Sequence, residues 1–172
     1  MLALIKPIMT KTALTKDSEF IVGENKLMNY VMALFFFALL LYGFIDAANR
    51  HFKDIDYQSY IFALAIIPLI YCLQRARSKR IYLRINKKGI YKDEQVVTNW
   101  SNLLNFYLAQ EKKKSFYDLR DNFILVVEYK GIDPKKGTRR KIPLTNTQDK
   151  SEEEVLEAVE FFWKEHKKAL SV

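Results

Sequence analysis

The stretch IIPLIYCLQRARSKRIYLRIN, residues 66–86, decides the fold because its character changes twice. An uncharged apolar run is followed by four cations, Arg75, Arg77, Lys79 and Arg80, and then by a strict alternation of apolar and polar residues. The run is typical of a membrane helix, the cations of its end at an anionic membrane surface, and the alternation of a half-buried β-strand. The sequence therefore predicts that the chain leaves a membrane here and begins a water-soluble β domain.

Two uncharged apolar runs predict a transmembrane hairpin. LMNYVMALFFFALLLYGFI, residues 27–45, has nineteen residues without a formal charge, and a helix of that length approaches the roughly 30 Å thickness of the bilayer core. The second run, YQSYIFALAIIPLIYCLQ, spans residues 57–74 and has tyrosines near both ends, where interfacial aromatic residues are found. Pro68 predicts a kink in this helix because it removes the hydrogen bond to the carbonyl of Leu64.

Two other interpretations of the apolar runs stay open. A cleaved signal peptide would place its apolar core within the first 15–30 residues and follow it with a small-residue cleavage site. Here twenty-six residues precede the first run and a second apolar run follows it. The other alternative is that both runs are core helices of one soluble bundle.

The charges that flank the runs predict the orientation of the hairpin. The connection between the runs carries three aspartates, Asp46, Asp54 and Asp56, against Arg50 and Lys53. The segment before the first run has four lysines, and the second run ends in the four cations named above. The positive-inside rule then places both termini in the cytoplasm.

Residues 75–172 predict an antiparallel sheet followed by one helix. The candidate strands are IYLRIN (81–86), IYK (90–92), QVVTNW (95–100), LLNFYLAQ (103–110), NFILVVEY (122–129) and RRKIPL (139–144). NKKG at 86–89 predicts a turn, and Pro143 predicts that the last strand lies at a sheet edge because proline cannot donate to the ladder. Short turns and charged loops between the strands predict an antiparallel meander.

The C-terminal residues 151–170 predict an amphipathic helix. Ser151 and Glu154 have the spacing of a capping box, with acidic residues in the first turn and lysines in the last. The predicted apolar stripe comprises Val155, Leu156, Val159, Phe162, Trp163, His166 and Leu170. Such a helix needs an apolar surface to cover, and we expect Trp163, together with Trp100, to lie in the core.

An antiparallel meander closed by one C-terminal amphipathic helix is the pattern of a pleckstrin-homology-like (PH-like) barrel. The alternating strand and glycine turn INKKGIY (85–91), the strand ending in tryptophan VVTNW (96–100), its continuation SNLLNFYL (101–108) and the leader TALTKDSEF (12–20) together resemble the bacterial YcxB-like family. The resemblance implies an α+β membrane protein, in which a two-helix transmembrane hairpin precedes a PH-like antiparallel β barrel or sheet closed by a C-terminal amphipathic helix.

The predicted division of the chain has three parts. Residues 1–26 form a cytoplasmic N-terminal segment, residues 27–74 the hairpin with spans at 27–45 and 57–74, and residues 75–172 a cytoplasmic PH-like domain. The expected location is the inner, or cytoplasmic, membrane of a bacterium.

Motifs for catalysis, metal binding or cofactor binding are scarce. The sequence has no HExxH, P-loop or GxGxxG motif, and no serine or cysteine in a nucleophile elbow. In the predicted topology, His51 and His166 lie on opposite sides of the membrane and cannot cooperate. The single Cys72 excludes an intramolecular disulfide and a cysteine-based metal site. We therefore expect no enzymatic activity, no cofactor and no metal, with Cys72 as a small buried hydrophobe.

Basic clusters are the candidate contacts with a membrane surface or a partner. The chain carries a net charge of +8, all of it from residue 75 onward, where 22 Lys/Arg face 14 Asp/Glu. The candidate contact residues are Arg75, Arg77, Lys79, Arg80, Lys112, Lys113, Lys114, Lys135, Lys136, Arg139, Arg140 and Lys141. A merely solvated loop surface is the alternative for the clusters beyond residue 110. Nucleic acid is not expected, because the clusters lack interleaved stacking aromatic residues.

Two functional hypotheses from different classes follow. In the first, a non-catalytic inner-membrane protein uses its cytoplasmic PH-like domain to bind a protein partner or the anionic membrane surface, in a scaffolding or regulatory role. In the second, a membrane-embedded immunity protein neutralises one specific secreted bacterial toxin. Membrane lipid and a protein are the expected partners, and homo-oligomer formation is left open.

Overall fold

The computed structural model describes residues 14–50, 57–110, 123–131, 137–144 and 147–171. It confirms an α+β fold with one long apolar helix and two antiparallel sheets. The helices are α1 (Lys26–Asn49), α2 (Tyr57–Leu64), α3 (Ile66–Arg77) and α4 (Glu152–Leu170).

The first predicted span forms α1, which continues four residues past the predicted end. Asn25 caps its N-terminus, where the side-chain oxygen accepts a hydrogen bond from the Met28 backbone N–H at 3.0 Å. The Asn29 amide donates to the Asn25 carbonyl at 2.9 Å, so the polar group nearest the start of the apolar run is satisfied locally. Within the described ranges, α1 is the one helix that is long and apolar enough to cross a membrane.

The second predicted span is two helices rather than one. α2 ends at Leu64 and α3 begins at Ile66, with a turn at Ala65. The predicted kink at Pro68 thus appears as an interruption three residues earlier, because proline has no N–H for the preceding turn of helix. Both helices pack against α1, so the three together form a helical hairpin.

The first sheet contains a strand that was not predicted. Its order is β1 (Phe20–Gly23), β2 (Ile81–Asn86), β3 (Gly89–Lys92) and β4 (Gln95–Asn99), all antiparallel neighbours. The predicted strands over 81–86, 90–92 and 95–100 are confirmed to within a residue. Gly89, in the predicted turn, has a φ of 154° and lies so close to the Thr98 carbonyl that a Cβ would overlap it, which explains the glycine there.

The described residues before α1, from Leu14 onward, are part of this sheet domain. Val22 on β1 is fully buried, and Leu14 packs on the same core. Lys16 forms an ion pair with Glu165 on α4 at 3.2 Å. Lys16 and Asp17 of the leader therefore have partners within the domain.

The second sheet is β5 (Leu103–Gln110), β6 (Phe123–Lys130) and β7 (Gly137–Leu144), again antiparallel and in that order. A short 3₁₀ helix, Trp100–Asn102, leads into it from β4. β7 lies at the sheet edge, as Pro143 predicted. After β7, the chain returns to the first sheet, where Gln148 bridges Glu24 and the Thr147 carbonyl accepts from the Asn25 N–H at 2.8 Å.

The core lies between the sheets and α4. The capping box of Ser151 and Glu154 is present. The buried residues of α4 are Val155, Ala158, Val159 and Phe162. This stripe is rotated from the predicted one: Trp163 lies half-buried at the margin, and Leu170 is 73% exposed. Trp100 is buried as predicted, donates its indole N–H to the Asn86 carbonyl at 2.8 Å, and stacks on Phe162 at a centroid distance of 6.3 Å.

Candidate functional site at the junction of hairpin and sheet

The hairpin is inserted between two paired strands. β1 ends at Gly23, α1 begins at Lys26, and the chain returns from α3 at Arg77 to start β2 at Ile81. Because Gly23 is paired with Ile81 across the ladder, both ends of the hairpin emerge from one place on the domain. Any movement of the helices relative to the sheet must therefore change the backbone at this junction, in residues 24–25 and 78–80.

A buried carboxylate joins α3 to both strands at the junction. Glu24, directly after β1, is only 7% exposed. The Arg75 Nε donates to its Oε1 at 3.1 Å, and the Arg75 Nη2 donates to Oε1 and Oε2 at 2.9 and 2.7 Å. The Tyr82 hydroxyl, on β2, donates to Oε1 as well. A buried charge of this kind is tolerated only when it is paired and hydrogen-bonded, and here it has two partners.

The electrostatics of this cluster keep Tyr82 in its neutral, donating form. Burial, and then the hydrogen bond to Glu24, raise the pKa of the Tyr82 hydroxyl above its ordinary value. The guanidinium of Arg75 also lies 5.7 Å from the centroid of the Tyr71 ring, one turn earlier on α3. The cluster therefore fixes the last turn of α3 through directional contacts.

A second cation of the predicted cluster is held by a strained turn. Asp93 and Glu94, between β3 and β4, have φ values of 47° and 65°, which non-glycine residues seldom adopt. The turn directs the Asp93 carboxylate to the Arg80 Nη2 at 3.1 Å. The Arg80 guanidinium also lies 5.1 Å from the centroid of the Tyr82 ring. Arg80 is thus placed over the same tyrosine that binds Glu24.

A cleft of about 420 Å³ lies beside these two ion pairs. Its lining comprises Glu24, Tyr71, Gln74, Arg75, Ser78, Arg80 and Tyr82. The lining extends from the last turns of α3 to the first residues of β2, so the cleft belongs equally to the hairpin and to the domain. We name it the junction cleft.

The four cations after the second apolar run have different roles. Arg75 and Arg80 are engaged by carboxylates of the chain, as described above. Arg77 and Lys79 are exposed and have no ion-pair partner among the residues that the structure describes. Lys26, at the start of α1, is exposed at the same end of the hairpin.

The remaining predicted contacts fall elsewhere. Lys112, Lys113, Lys114, Lys135 and Lys136 lie outside the described residues, so their role stays a prediction. Arg139, Arg140 and Lys141 lie on β7.

The three basic residues of β7 are not clustered at the junction. Arg139 pairs with Glu128 of the neighbouring strand at 2.7 Å. Arg139 and Arg140 precede the end of β7 at Leu144 by five and four residues, which is about 13–16 Å along an extended strand. The Leu144 end of β7 is the one nearer the junction, because Thr147 follows it and bonds Asn25 there. The basic part of β7 is therefore the part farther from the junction.

Among the described residues, a serine hydroxyl lies near a histidine ring, but no metal-binding cluster is formed. No group of three or more His, Cys, Asp or Glu side chains there could hold a metal ion. The Ser101 Oγ lies 3.3 Å from the His166 Nε2, which pairs a hydroxyl with an imidazole that the sequence did not connect. An activated serine requires a base that a third group orients, and among the described residues no third group is hydrogen-bonded to the His166 ring. Ser101 is also exposed. Cys72 is free and buried, as predicted.

Sequence reasoning missed Glu24, Tyr82 and Asp93 as parts of this site. Glu24 lies in a short segment whose role as a strand end depends on pairing with residues almost sixty positions later. Tyr82 was assigned only to the polar face of a strand. One signal in the sequence could have revealed the cluster. Glu24 is an acidic residue between the β-prone FIVG and an apolar helix, and a carboxylate that is buried there needs a cation, which the far end of the hairpin supplies.

No family model, curated protein or solved structure matches this chain.

Proposed function

We propose that this chain is a non-catalytic membrane protein whose hairpin anchors the sheet domain at the anionic, cytoplasmic surface of a membrane, where the domain binds that surface or a protein partner. In this proposal α1 is one span and α2 with α3 is the second. The two sheets and α4 form a PH-like domain of the YcxB-like kind. Their succession of four strands, three strands and a C-terminal helix supports that assignment.

The observation that carries the proposal is the inverted burial of the hairpin. Among the hairpin residues whose burial the structure describes (26–50 and 61–77), the buried ones are the small residues Ala33, Gly43, Ala65, Cys72 and Ala76. Many of its large apolar side chains face outward, and Leu34, Phe44 and Ile67 are all more than 60% exposed. Small residues at the helix interface and large apolar residues outside are the pattern of helices solvated by lipid. The same pattern weighs against the soluble-bundle alternative, in which the large residues would be covered.

The junction supports the proposed orientation. Both ends of the hairpin emerge beside the pair of Gly23 and Ile81, so the sheet domain lies on one side of the membrane. The exposed cations Lys26, Arg77 and Lys79 lie at this end, where an anionic leaflet attracts each by about 1 kcal/mol. The positive-inside rule makes that side the cytoplasm.

Cysteine labelling in intact cells tests the anchoring and the orientation together. In a Cys72→Ala background, His51→Cys would lie between the spans and Lys79→Cys at the junction. We expect a membrane-impermeant maleimide to label the cysteine at 51 in intact cells and the cysteine at 79 only after lysis. Membrane fractionation and carbonate extraction of the unmodified chain should retain it in the pellet.

Two results would contradict the proposal. One is a full-length chain that is monodisperse without detergent, and the other is equal labelling of both cysteines before lysis. Protection of cells from a candidate toxin by this chain would instead favour the immunity hypothesis, which stays a prediction.

A further inference from the structure

We propose that the junction cleft binds the headgroup of an anionic phospholipid through its phosphate. The proposal rests on the membrane anchoring proposed above and gives it a specific lipid-binding site. It goes further because a general attraction of cations to the leaflet requires no cleft, whereas this site requires a fixed set of donors.

The donors of the cleft are suited to a phosphate. Glu24 engages the Nε and Nη2 of Arg75, which leaves the Nη1 outside this ion pair. Asp93 engages the Nη2 of Arg80, which leaves its Nε and Nη1 outside that pair. A planar guanidinium that is held on one edge presents its other donors in a fixed direction, and phosphate oxygens accept such donors well. Ser78 and Gln74 add a hydroxyl and an amide to the same lining.

The carboxylates of the cluster orient the arginines without filling the cleft. The side chain of Glu24 is 4% exposed and that of Arg75 is 24% exposed, so the acid is covered and the base remains accessible. Asp93 does not belong to the lining, whereas Arg80 does. The lining therefore carries two arginines and one shielded carboxylate, an excess of positive charge that favours an anion.

The position of the cleft points to a lipid rather than a soluble phosphate. Tyr71 lines the cleft and is exposed on the apolar part of α3, where tyrosine is typical of the membrane interface. Ile67 and Ile70, on the same helix, are exposed just before it. A phospholipid whose acyl chains lie along α3 would thus hold its phosphate at the level of Arg75 and Arg80.

The experiment titrates phosphatidylglycerol onto the full-length protein in detergent and counts bound lipid by native mass spectrometry. Phosphatidylcholine is the reference lipid. The test variant is Arg80→Gln, and the matched control is Lys79→Gln, which removes the same charge from the adjacent exposed residue outside the cleft lining. We expect Arg80→Gln to weaken phosphatidylglycerol binding about tenfold, as loss of a charge-assisted hydrogen bond would, and Lys79→Gln to change it less than about twofold.

Several outcomes would overturn the proposal. Equal weakening by both variants would mean that net charge alone attracts the lipid, and equal binding of both lipids would remove the preference for an anionic headgroup. Glycerol 3-phosphate, tested alone, would assign the cleft to a soluble phosphate if it bound as tightly as the lipid. Failure of the anchoring itself would show differently, as a wild-type chain that is monodisperse without detergent and binds neither lipid.

Discussion

The hairpin and the sheet domain use the same apolar residue types in opposite ways. Leu34 on α1 is 68% exposed, whereas Leu83 on β2 is 1% exposed. The hairpin buries alanine, glycine and cysteine, and the domain buries leucine, isoleucine, valine and phenylalanine. This contrast is what the proposed membrane anchoring requires, with lipid tails around the hairpin and water around the domain.

The two regions are also not consecutive in the chain. The domain begins before the hairpin, at β1, and resumes after it, at β2. The hairpin is therefore an insertion into a β-hairpin connection, and the domain should fold without it provided that β1 is retained.

The largest expected effect is a difference in stability between two soluble fragments, one without β1 and one with it. A fragment of residues 75–172 lacks β1, so it loses the fully buried Val22 and leaves the β2 edge unpaired. That loss amounts to several kcal/mol, a large part of the roughly 5–15 kcal/mol that stabilises a domain. We expect this fragment to be unfolded or aggregated.

The matched fragment joins residues 14–24 to residues 80–172 through a short Gly/Ser turn. Because Gly23 and Ile81 are already paired, the turn only has to replace the hairpin. We expect a cooperative thermal transition without detergent, measured by circular dichroism. A stable 75–172 fragment would show that β1 is dispensable.

The second prediction compares two aromatic residues of α4. Phe162 is 2% exposed and stacks on Trp100, so Phe162→Ala should lower the free energy of unfolding by about 3–5 kcal/mol. Trp163 lies at the margin, where Phe106 and the Lys167 ammonium contact its ring. Trp163→Ala should therefore cost clearly less, measured by denaturant unfolding of the same fragment. Equal losses would mean that the core extends under Trp163.

Local pattern predicted most of the elements of this domain. Period-2 alternation predicted the strands β2 and β5, a glycine turn predicted the turn before Gly89, an edge proline predicted the place of β7, and a capping box predicted the start of α4. Each of these signals lies within a few residues of the chain. The exact buried stripe of α4 did not follow, because Leu156 and Ala158 flank the buried face on opposite sides and only packing decides which side is covered.

The junction could not be predicted for a different reason. β1 has four residues, and its identity as a strand depends on a partner beyond the whole hairpin. The four cations were interpreted as equivalent because sequence spacing does not show that Glu24 and Asp93 bind two of them. Contacts between residues that are distant in the sequence were thus the part of the structure that the sequence did not predict.

The third prediction compares the two ion pairs of the junction. Glu24→Ala removes the buried partner of Arg75 and of Tyr82, and should lower the stability of the full-length protein in detergent by about 3 kcal/mol. Asp93→Asn removes an exposed partner of Arg80 and should cost about 0–1 kcal/mol. Thermal unfolding of both variants is the measurement. A small effect of Glu24→Ala would mean that the hairpin is only loosely held to the sheet.

The smallest expected effect lies within the hairpin itself. Gly43 on α1 lies so close to Phe62 on α2 that a Cβ would overlap the Phe62 Cβ. Gly43→Leu should therefore push the helices apart and destabilise their packing by about 1–3 kcal/mol, whereas Ala38→Leu adds the same side chain at an exposed position of α1 and should be nearly neutral. Far-UV circular dichroism in detergent follows the helices, and the near-UV signal of the two tryptophans, Trp100 and Trp163, follows the domain. If the hairpin is a lipid-facing insertion, Gly43→Leu lowers the first transition and leaves the second in place, whereas a shift of both would show that the hairpin and the domain unfold as one unit.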